Sequence, residues 1–598
     1  MAEIEPGTTS QGIPTESVVR EPGAAAPPPA GAAPPPGAPV RPRGLVRWGV
    51  ALVAVAAVVG VVSVGAAFLA AGASGSAVRG WLPPDTIGYL ELRADLPGDQ
   101  RAKVGDIIAK FPGFADQASL DAKIDEALDR ILEGSGSSWT QDVKPWLAGE
   151  VGVAFTSAVF DIAKMPDLGA PDPDSPDLGM APDDGAVALV AVKDEAAART
   201  WISGLIEGEQ RTEPYAGGEI TLVEGPLKGT VAYAIEAGVM VLGPEATVKA
   251  VLDTEGTSDI ASSESFTAAL ETAPNAYLGF GYLDLAAFVD AAGEAAGSAT
   301  DLPQACFGEA LAAIPAWASG SMRADTDVLV FTTTAPAAGD SPATAASGSA
   351  IAAHLPASTV VAVEIRDFGP SLLAGIDTLK EQLACEPSAA EMIDQLEQAL
   401  AAIGGAEALV GWADDTAIAV ELAAGTPGGG LAATVSDEAA AERALDQIQA
   451  LLALGGAGSG LAVREEAYGD GTLLVVEIPS ELAGEELPEI AATAQGGIFA
   501  LGTLDFVKHV VDTTPDTSLA QVDAYERAIA AAGGDGVSDV YVDIGGLVAA
   551  AETMIPADEM SRYETEVKPF LEPFEAFAAV IEAAGTSSVS RAVITFTK

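Results

Sequence analysis

Leu82 to Arg93 reads LPPDTIGYLELR, and Leu355 to Arg366 reads LPASTVVAVEIR. Both open on Leu-Pro, carry a Thr, and run into an apolar, β-branched stretch that ends Glu-x-Arg. Further matches follow in the same order. Trp146–Phe155 (WLAGEVGVAF) parallels Gly411–Val420 (GWADDTAIAV), and DEAAA occurs at Asp194–Ala198 and Asp437–Ala441. Met240–Thr254 (MVLGPEATVKAVLDT) parallels Phe499–Thr513 (FALGTLDFVKHVVDT). More loosely, Tyr277, Gly281 and Leu283 recur as Tyr541, Gly545 and Leu547. Each half closes on a β-rich segment, Val328–Thr333 and Ala592–Thr597. Collinear self-similarity of this kind is the mark of an internal duplication.

The periodicities give the fold class. Thr86–Leu92 and Val187–Val192 read as strands, and Ile220–Val223, Thr230–Ile235 and Val239–Leu242 as a meander with Gly-containing turns. Leu120, Ile124, Leu128 and Ile131 share one helical face within Ser119–Leu132. Ala196–Ile206 and Ala246–Leu252 also read as helices. Hairpin strands mixed with helices predict an α+β fold with mainly antiparallel sheets backed by helices. The two tandem domains are expected at 81–335 and 351–598, joined by a low-complexity linker at 336–350. The first carries an extra acidic Pro-rich loop at 165–185, where Pro and Gly forbid regular structure.

Upstream, Gly49–Ala71 reads GVALVAVAAVVGVVSVGAAFLAA without a charge. As a helix it would be about 35 Å long, enough for a hydrocarbon core of about 30 Å. Arg41, Arg43 and Arg47 precede it and Arg79 follows, so the positive-inside rule places the N-terminus in the cytoplasm. A signal peptide would have a short leader and an apolar core of about 7–15 residues; here residues 1–48 come first. The chain is therefore read as a single-pass membrane protein, with a short linker at 72–80 and its bulk outside. The tail 1–48 is dominated by Pro, Ala and Gly and is expected to be disordered. Its PPP runs offer a ligand for a Pro-rich-recognising module, and Thr8, Thr9, Ser10, Thr15 and Ser17 offer phosphorylation sites.

The net charge of -57 repels nucleic-acid phosphates, so no nucleic-acid partner is expected. Asp172, Asp174 and Asp177 in the acidic loop are weak calcium candidates, because the EF-hand ligand spacing is not met and Pro interrupts it. Cys306 and Cys385 lie beyond the apolar segment, where an oxidising exterior permits a disulfide between them. His354 and His509 are the two histidines, neither with a counterpart in the first half, so packing or surface roles are expected of both. No phosphate loop, nucleophile elbow or zincin motif is found. No catalytic residue and no cofactor is assigned. The reading is a non-catalytic envelope protein that binds a partner; a lipid or small-ligand carrier and a carboxylate-based hydrolase are the alternatives.

The order apolar span, LPPDTIGYLELR, IAKFPGF and PWLAGEVGVAF resembles an uncharacterised bacterial family of single-span membrane proteins, catalogued as a domain of unknown function. The matching residues are Leu82, Pro83, Asp85, Thr86, Gln100, Lys110, Phe111, Pro112, Trp146 and Gly149. The resemblance implies an outer region beginning LP-x-DT and no catalytic residues.

Overall fold

A computed structural model describes residues 76–598 apart from 115–119, 134–136, 161–184, 225–229, 298–313, 338–349, 457–461, 478–487, most of 384–403 and a few single positions. The tail, the apolar stretch 49–71, the loop aspartates Asp172, Asp174 and Asp177, and both Cys306 and Cys385 lie outside the described residues. Among the described residues no helix is long and apolar enough to cross a membrane.

The N-terminal half contributes β1 (Thr86–Arg93), β2 (Leu147–Thr156), β3 (Ala186–Val192), β4 (Glu209–Tyr215), β5 (Gly218–Glu224), β6 (Thr230–Glu236), β7 (Val239–Pro244), β8 (Gly279–Asp284), β9 (Trp317–Asp325) and β10 (Val328–Pro336). Its helices are α1 (Gln100–Ile108), α2 (Leu120–Glu133), α3 (Glu195–Leu205), α4 (Glu245–Leu252), α5 (Glu264–Glu271) and α6 (Leu285–Gly297). The C-terminal half contributes β11 (Thr359–Ile365), β12 (Ala413–Ala423), β13 (Thr426–Val435), β14 (Ala462–Tyr468), β15 (Gly471–Glu477), β16 (Ile490–Gln495), β17 (Ile498–Thr503), β18 (Ser538–Asp543), β19 (Phe574–Ala584) and β20 (Ser587–Phe596). Its helices are α7 (Phe368–Leu383), α8 (Ala406–Val410), α9 (Glu438–Gly456), α10 (Leu504–Asp512), α11 (Asp523–Ala531), α12 (Ile544–Glu552), α13 (Met560–Glu566) and α14 (Lys568–Leu571). The fold is α+β, and the strands and helices expected from periodicity lie within a residue or two of their observed ends.

Every strand pairing is antiparallel, and the strands form one continuous sheet. Its order is β4-β5-β6-β7-β3-β2-β1-β8-β9-β10, then β20-β19-β18-β11-β12-β13-β17-β16-β15-β14. The second series repeats the first in mirror order about the central β10–β20 pair. That pair runs from Val328↔Thr595 to Pro336↔Ser587, with Thr332↔Arg591 at its centre. Two strands in equivalent places thus meet across a local two-fold.

The structure corrects two details of the sequence matching. β1 pairs Tyr89 with Tyr282, and β11 pairs Ala362 with Tyr541, so Tyr541 corresponds to Tyr282 and not to Tyr277. Asp284 and Asp543 follow, and each accepts a hydrogen bond from a backbone N–H of the next helix, Ala287 at 2.9 Å and Gly546 at 2.8 Å. Likewise Trp146, not Leu147 after it, corresponds to Trp412: their carbonyls accept from Lys193 N and Ser436 N at 2.8 and 3.0 Å. The slip arises because both strands bulge here, β2 between Leu147 and Val151 and β12 between Ala413 and Thr416, and β2 holds one residue more; its Gly149 has φ +97° and a Cβ there would lie 2.9 Å from Asp95 N.

DEAAA has a structural explanation. Asp194 and Asp437 cap α3 and α9, accepting from Ala197 N and Ala440 N at 3.0 and 3.1 Å. The following Glu195 and Glu438 accept from Gly238 N and Gly497 N, at the tips of the β6–β7 and β16–β17 hairpins.

Helices cover both faces. On one, α4 and α5 bury Val248, Val251 and Phe266 against Tyr89, Leu189 and Phe280, while α10 and α11 bury Phe506, Val507 and Ile529 against Ala419, Tyr541 and Val580. On the other, α1, α2 and α3 bury Val104, Leu128 and Ile202 against Val151, Val190 and Leu242. α7 and α9 cover the equivalent strands of the C-terminal half only in part, around Trp412, Ala433 and Phe499.

The halves also exchange core residues. Phe596 of β20 joins the N-terminal core, and Val328 and Val330 of β10 join the C-terminal core. Phe111 stacks edge-on with Phe574 and Phe596 at 5.5 and 6.2 Å, and Lys110 bonds Thr597 O at 2.6 Å and Asp327 at 2.9 Å. Phe596→Ala is expected to cost about 3–5 kcal/mol by leaving a cavity at this junction. Urea unfolding should show one coincident transition for Trp412 and for the tryptophans of the N-terminal half; two separated transitions would show that the junction does not couple them.

Candidate functional site

On a strand, residues i and i+2 face the same side, so Glu-x-Arg presents a carboxylate and a guanidinium to one core. In the N-terminal half Glu91 is wholly buried. It accepts from Arg79 Nε at 2.7 Å, Tyr89 OH at 2.9 Å and Tyr277 OH at 2.9 Å. Arg93 makes a bidentate pair with Asp95, at 2.8 and 2.7 Å. Burial works against the Arg93 charge, but the hydrogen bond and charge of Asp95 outweigh it and raise its pKa. In the C-terminal half Glu364 accepts from Tyr525 OH at 2.9 Å, and Arg366 pairs with Asp539 at 2.6 Å and donates to Gly536 O. The strand residues recur while their partners come from different elements. The guanidiniums are paired locally, Arg79 with Glu91, Arg93 with Asp95 and Arg366 with Asp539, as buried charges require.

Glu150 lies beside the first centre. Its carboxylate accepts from Ser76 Oγ and from Ala77 N at 2.7 Å. Burial raises its pKa, and the nearby Glu91 adds to the rise. Burial also drives the Tyr89 hydroxyl well above its ordinary value, with Glu91 and Glu150 contributing. Two carboxylates side by side suit acid–base chemistry in an open cleft. Here both are buried, and their oxygens are bonded to the chain's own groups. Their observed work is to hold residues 76–79 on the sheet.

His509 Nδ1 lies 2.8 Å from Glu421 Oε1, and Ser358 Oγ donates to Glu421 Oε2 at 3.0 Å. Ser and His thus contact opposite oxygens of one buried carboxylate. A nucleophilic relay needs the imidazole between hydroxyl and acid, and this arrangement does not supply it. His354 is half-buried at the end of a short turn, and burial lowers its pKa. Among the described residues no three His, Cys, Asp or Glu side chains are grouped to hold a metal ion.

A third constellation recurs in both halves. Lys249 sits 5.3 Å over the Tyr215 ring and 3.5 Å from Glu213, and Tyr215 OH bonds Asp253 at 3.0 Å. Lys508, Tyr468, Glu466 and Asp512 repeat it, with distances of 5.3, 2.9 and 2.6 Å. The bond to Asp512 pushes the Tyr468 hydroxyl up to about 12. These groups tie the outermost hairpins, β4–β5 and β14–β15, to α4 and α10. An open depression of about 400 Å³ beside the first, lined by Thr230, Pro244, Glu245, Ala246 and Lys249, lies toward the sheet's end.

Sequence reasoning marked Glu-x-Arg, Lys249/Lys508 and Asp253/Asp512 only as signs of repetition. Their recurrence was the signal available, and the structure shows it to be buried charge pairing and hairpin stitching.

A two-half antiparallel α+β sheet with recurrent buried ion pairs defines the architecture. Residues 104–595 match the family described as protein of unknown function (DUF3352), and the chain belongs to that family. No curated protein matches the chain. Among solved structures, crystal form I of TP0453 aligns at 11% identity over 45% of this chain and 81% of that one, with a TM-score of 0.21. Crystal form IV of TP0453 aligns at 10% over 43% and 79%, with a TM-score of 0.20. Likeness at that level carries no argument about fold or function.

Glu91→Ala is expected to lower stability by about 3–5 kcal/mol, since Arg79 loses its buried partner. Glu150 gives a pH signature. Its folded pKa is raised, so the unfolded chain loses this proton first and the group's contribution to stability falls as pH climbs above about 4.3. Glu150→Gln removes that loss. Its stability relative to the parent should rise from pH 4 to about 7, as measured by urea midpoints; a constant difference would refute the assignment.

Proposed function

We propose that this protein is a single-pass envelope protein, anchored by residues 49–71, whose outer region is a non-catalytic binding platform built from two copies of one unit. The observation that carries the reading is the way the chain enters the fold. Just past the apolar segment, Ser76 and Ala77 are held by Glu150, Val78 and Leu82 are fully buried, and Trp81 enters the core. Ser258 N and Thr254 Oγ1 donate to Gly80 O at 2.8 and 3.3 Å, while Gly80 is packed so closely on Gly256 O that a Cβ would lie 2.3 Å away. Residues 72–75 leave at most about 14 Å of free chain between the span and this mount. An anchored body joined so tightly to its span presents a fixed surface, which suits holding a partner at the membrane. The acidic surface keeps it clear of anionic headgroups. The recurrent titratable groups are spent on pairing within each half, which supports binding over chemistry.

The test is topology. With different epitope tags at the two termini, added protease should remove the C-terminal tag from intact spheroplasts and the N-terminal tag only after lysis. The reverse pattern would overturn the orientation, and release of the chain by carbonate washing would overturn the anchor.

A further inference from the structure

One strip of the sheet differs between the halves. In the C-terminal half, the face partly covered by α7 and α9 carries Val361 and Val363 on β11, Ile418 and Val420 on β12, Leu431 on β13 and Leu501 on β17. The register sets them side by side: Val361↔Val420, Val363↔Ile418, Ile418↔Leu431 and Leu431↔Leu501. Ile418, Val420 and Leu501 are 56%, 40% and 39% exposed.

The N-terminal half supplies an internal control. There the same register is Leu90↔Val153↔Ala188↔Leu242. Ala188 and Leu242 are 2% and 8% exposed, and they pack in the core with Ile202 of α3 and with Tyr233 and Ile235 of β6, while Leu90 at the other end of the strip is 45% exposed. Tyr233 pairs with Leu242 and Ile235 with Met240, whereas Ala492 pairs with Leu501 and Ala494 with Phe499. The C-terminal half therefore places alanines where its twin places Tyr and Ile, and a leucine (Leu431) where its twin has Ala188. Among the described residues, the bulk beside the strip is smaller and the strip itself is larger at Leu431 and Leu501. Contiguous apolar surface of this kind marks an interaction site.

Charge selects the partner. Asp414 and Asp415 open the same strand, β12, and Asp367 lies just ahead of α7. Burial raises the Asp414 pKa, and repulsion from Asp367 and Asp415 adds to it. The chain as a whole carries 86 acidic against 29 basic residues, so the surroundings are acidic as well. α12 packs against β19 and β11 next to the strip and adds the exposed Leu547. An acyl chain with an anionic headgroup meets repulsion here. A segment with one apolar and one cationic face meets complementary groups on both counts.

We propose that the Ile418–Leu501 strip docks a cationic amphipathic segment of a partner protein, an inference that rests on the binding role above. The test uses the full chain in phosphatidylcholine nanodiscs and a fluorescent 14-residue Lys/Leu amphipathic peptide, with empty discs as the blank. The peptide should bind saturably and lose affinity as salt rises. The Ile418→Ser/Leu501→Ser variant, checked for an unchanged melting temperature, should weaken binding about tenfold or more, which corresponds to about 1.4 kcal/mol. Ile314→Ser, at an exposed apolar residue of the N-terminal half, should leave it unchanged. Equal binding by the double variant, or by a Glu/Leu peptide of the same pattern, would overturn the proposal. Uptake of cis-parinaric acid that the double variant abolishes, without peptide binding, would assign the strip to lipid instead. Absence of peptide binding sinks this inference and leaves the anchored reading standing. An inverted topology sinks that reading alone, because nanodisc binding does not depend on orientation.

Discussion

The pairing of β10 with β20 is the constraint on which the rest of the molecule depends. Without it each half would end in a long open edge, a template for unwanted pairing. With it, two edges close against each other and the sheet becomes continuous. The closure is of the kind a symmetric dimer makes, where one surface meets its own copy and every contact occurs twice. Here one chain supplies both copies. Phe596 and Val330 lock the joint from opposite sides because each enters the other half's core. The free edges of the finished sheet are β4 and β14, which carry Glu209, Arg211 and Glu213 or Arg464, Glu465 and Glu466. Charges along an edge discourage further addition of strands.

Much of the fold could be read from residues that do local work. DEAAA is visible because Asp caps a helix and Glu grips a hairpin, so both copies keep it. Glu-x-Arg is visible because a buried charge needs its partner on the same face. What could not be read falls into two kinds. β4 and β14 read EQRTEPY and AVREEAY, too polar for an alternation signal, and β13 opens TPGGG. Glycine there reflects close approach: a Cβ at Gly430 would lie 2.2 Å from Leu501 O. The second kind is non-local. Nothing near Val328 or Ala592 announces that these segments pair with each other, and the two expected sheets are in fact one.

The candidate site shows the same division. The strand residues of the two ion centres were legible as a repeat, but their partners were not. Arg93 takes Asp95 from its own strand end, while Arg366 takes Asp539 from β18. Glu91 takes Tyr277 from the approach to β8, while Glu364 takes Tyr525 from α11. The supporting groups differ between the halves while the electrostatic solution is the same, because burial of a charge demands a partner and not a particular residue. The open apolar strip was invisible for the opposite reason. Val361, Val363, Ile418 and Val420 have the alternation of any half-buried strand, and only comparison with the covered twin shows that bulk is missing.

The place of β20 also sets a timetable. β20, at the middle of the sheet, is made long after β10, so the β10 edge stays unpaired through synthesis of everything between them. An exposed strand edge of that kind is a hazard while it lasts. The sheet cannot be completed in pieces from front to back: its first half waits for β20. Closure of the sheet therefore depends on the arrival of β20, and a chain without that strand forfeits the central seam, not a peripheral strand.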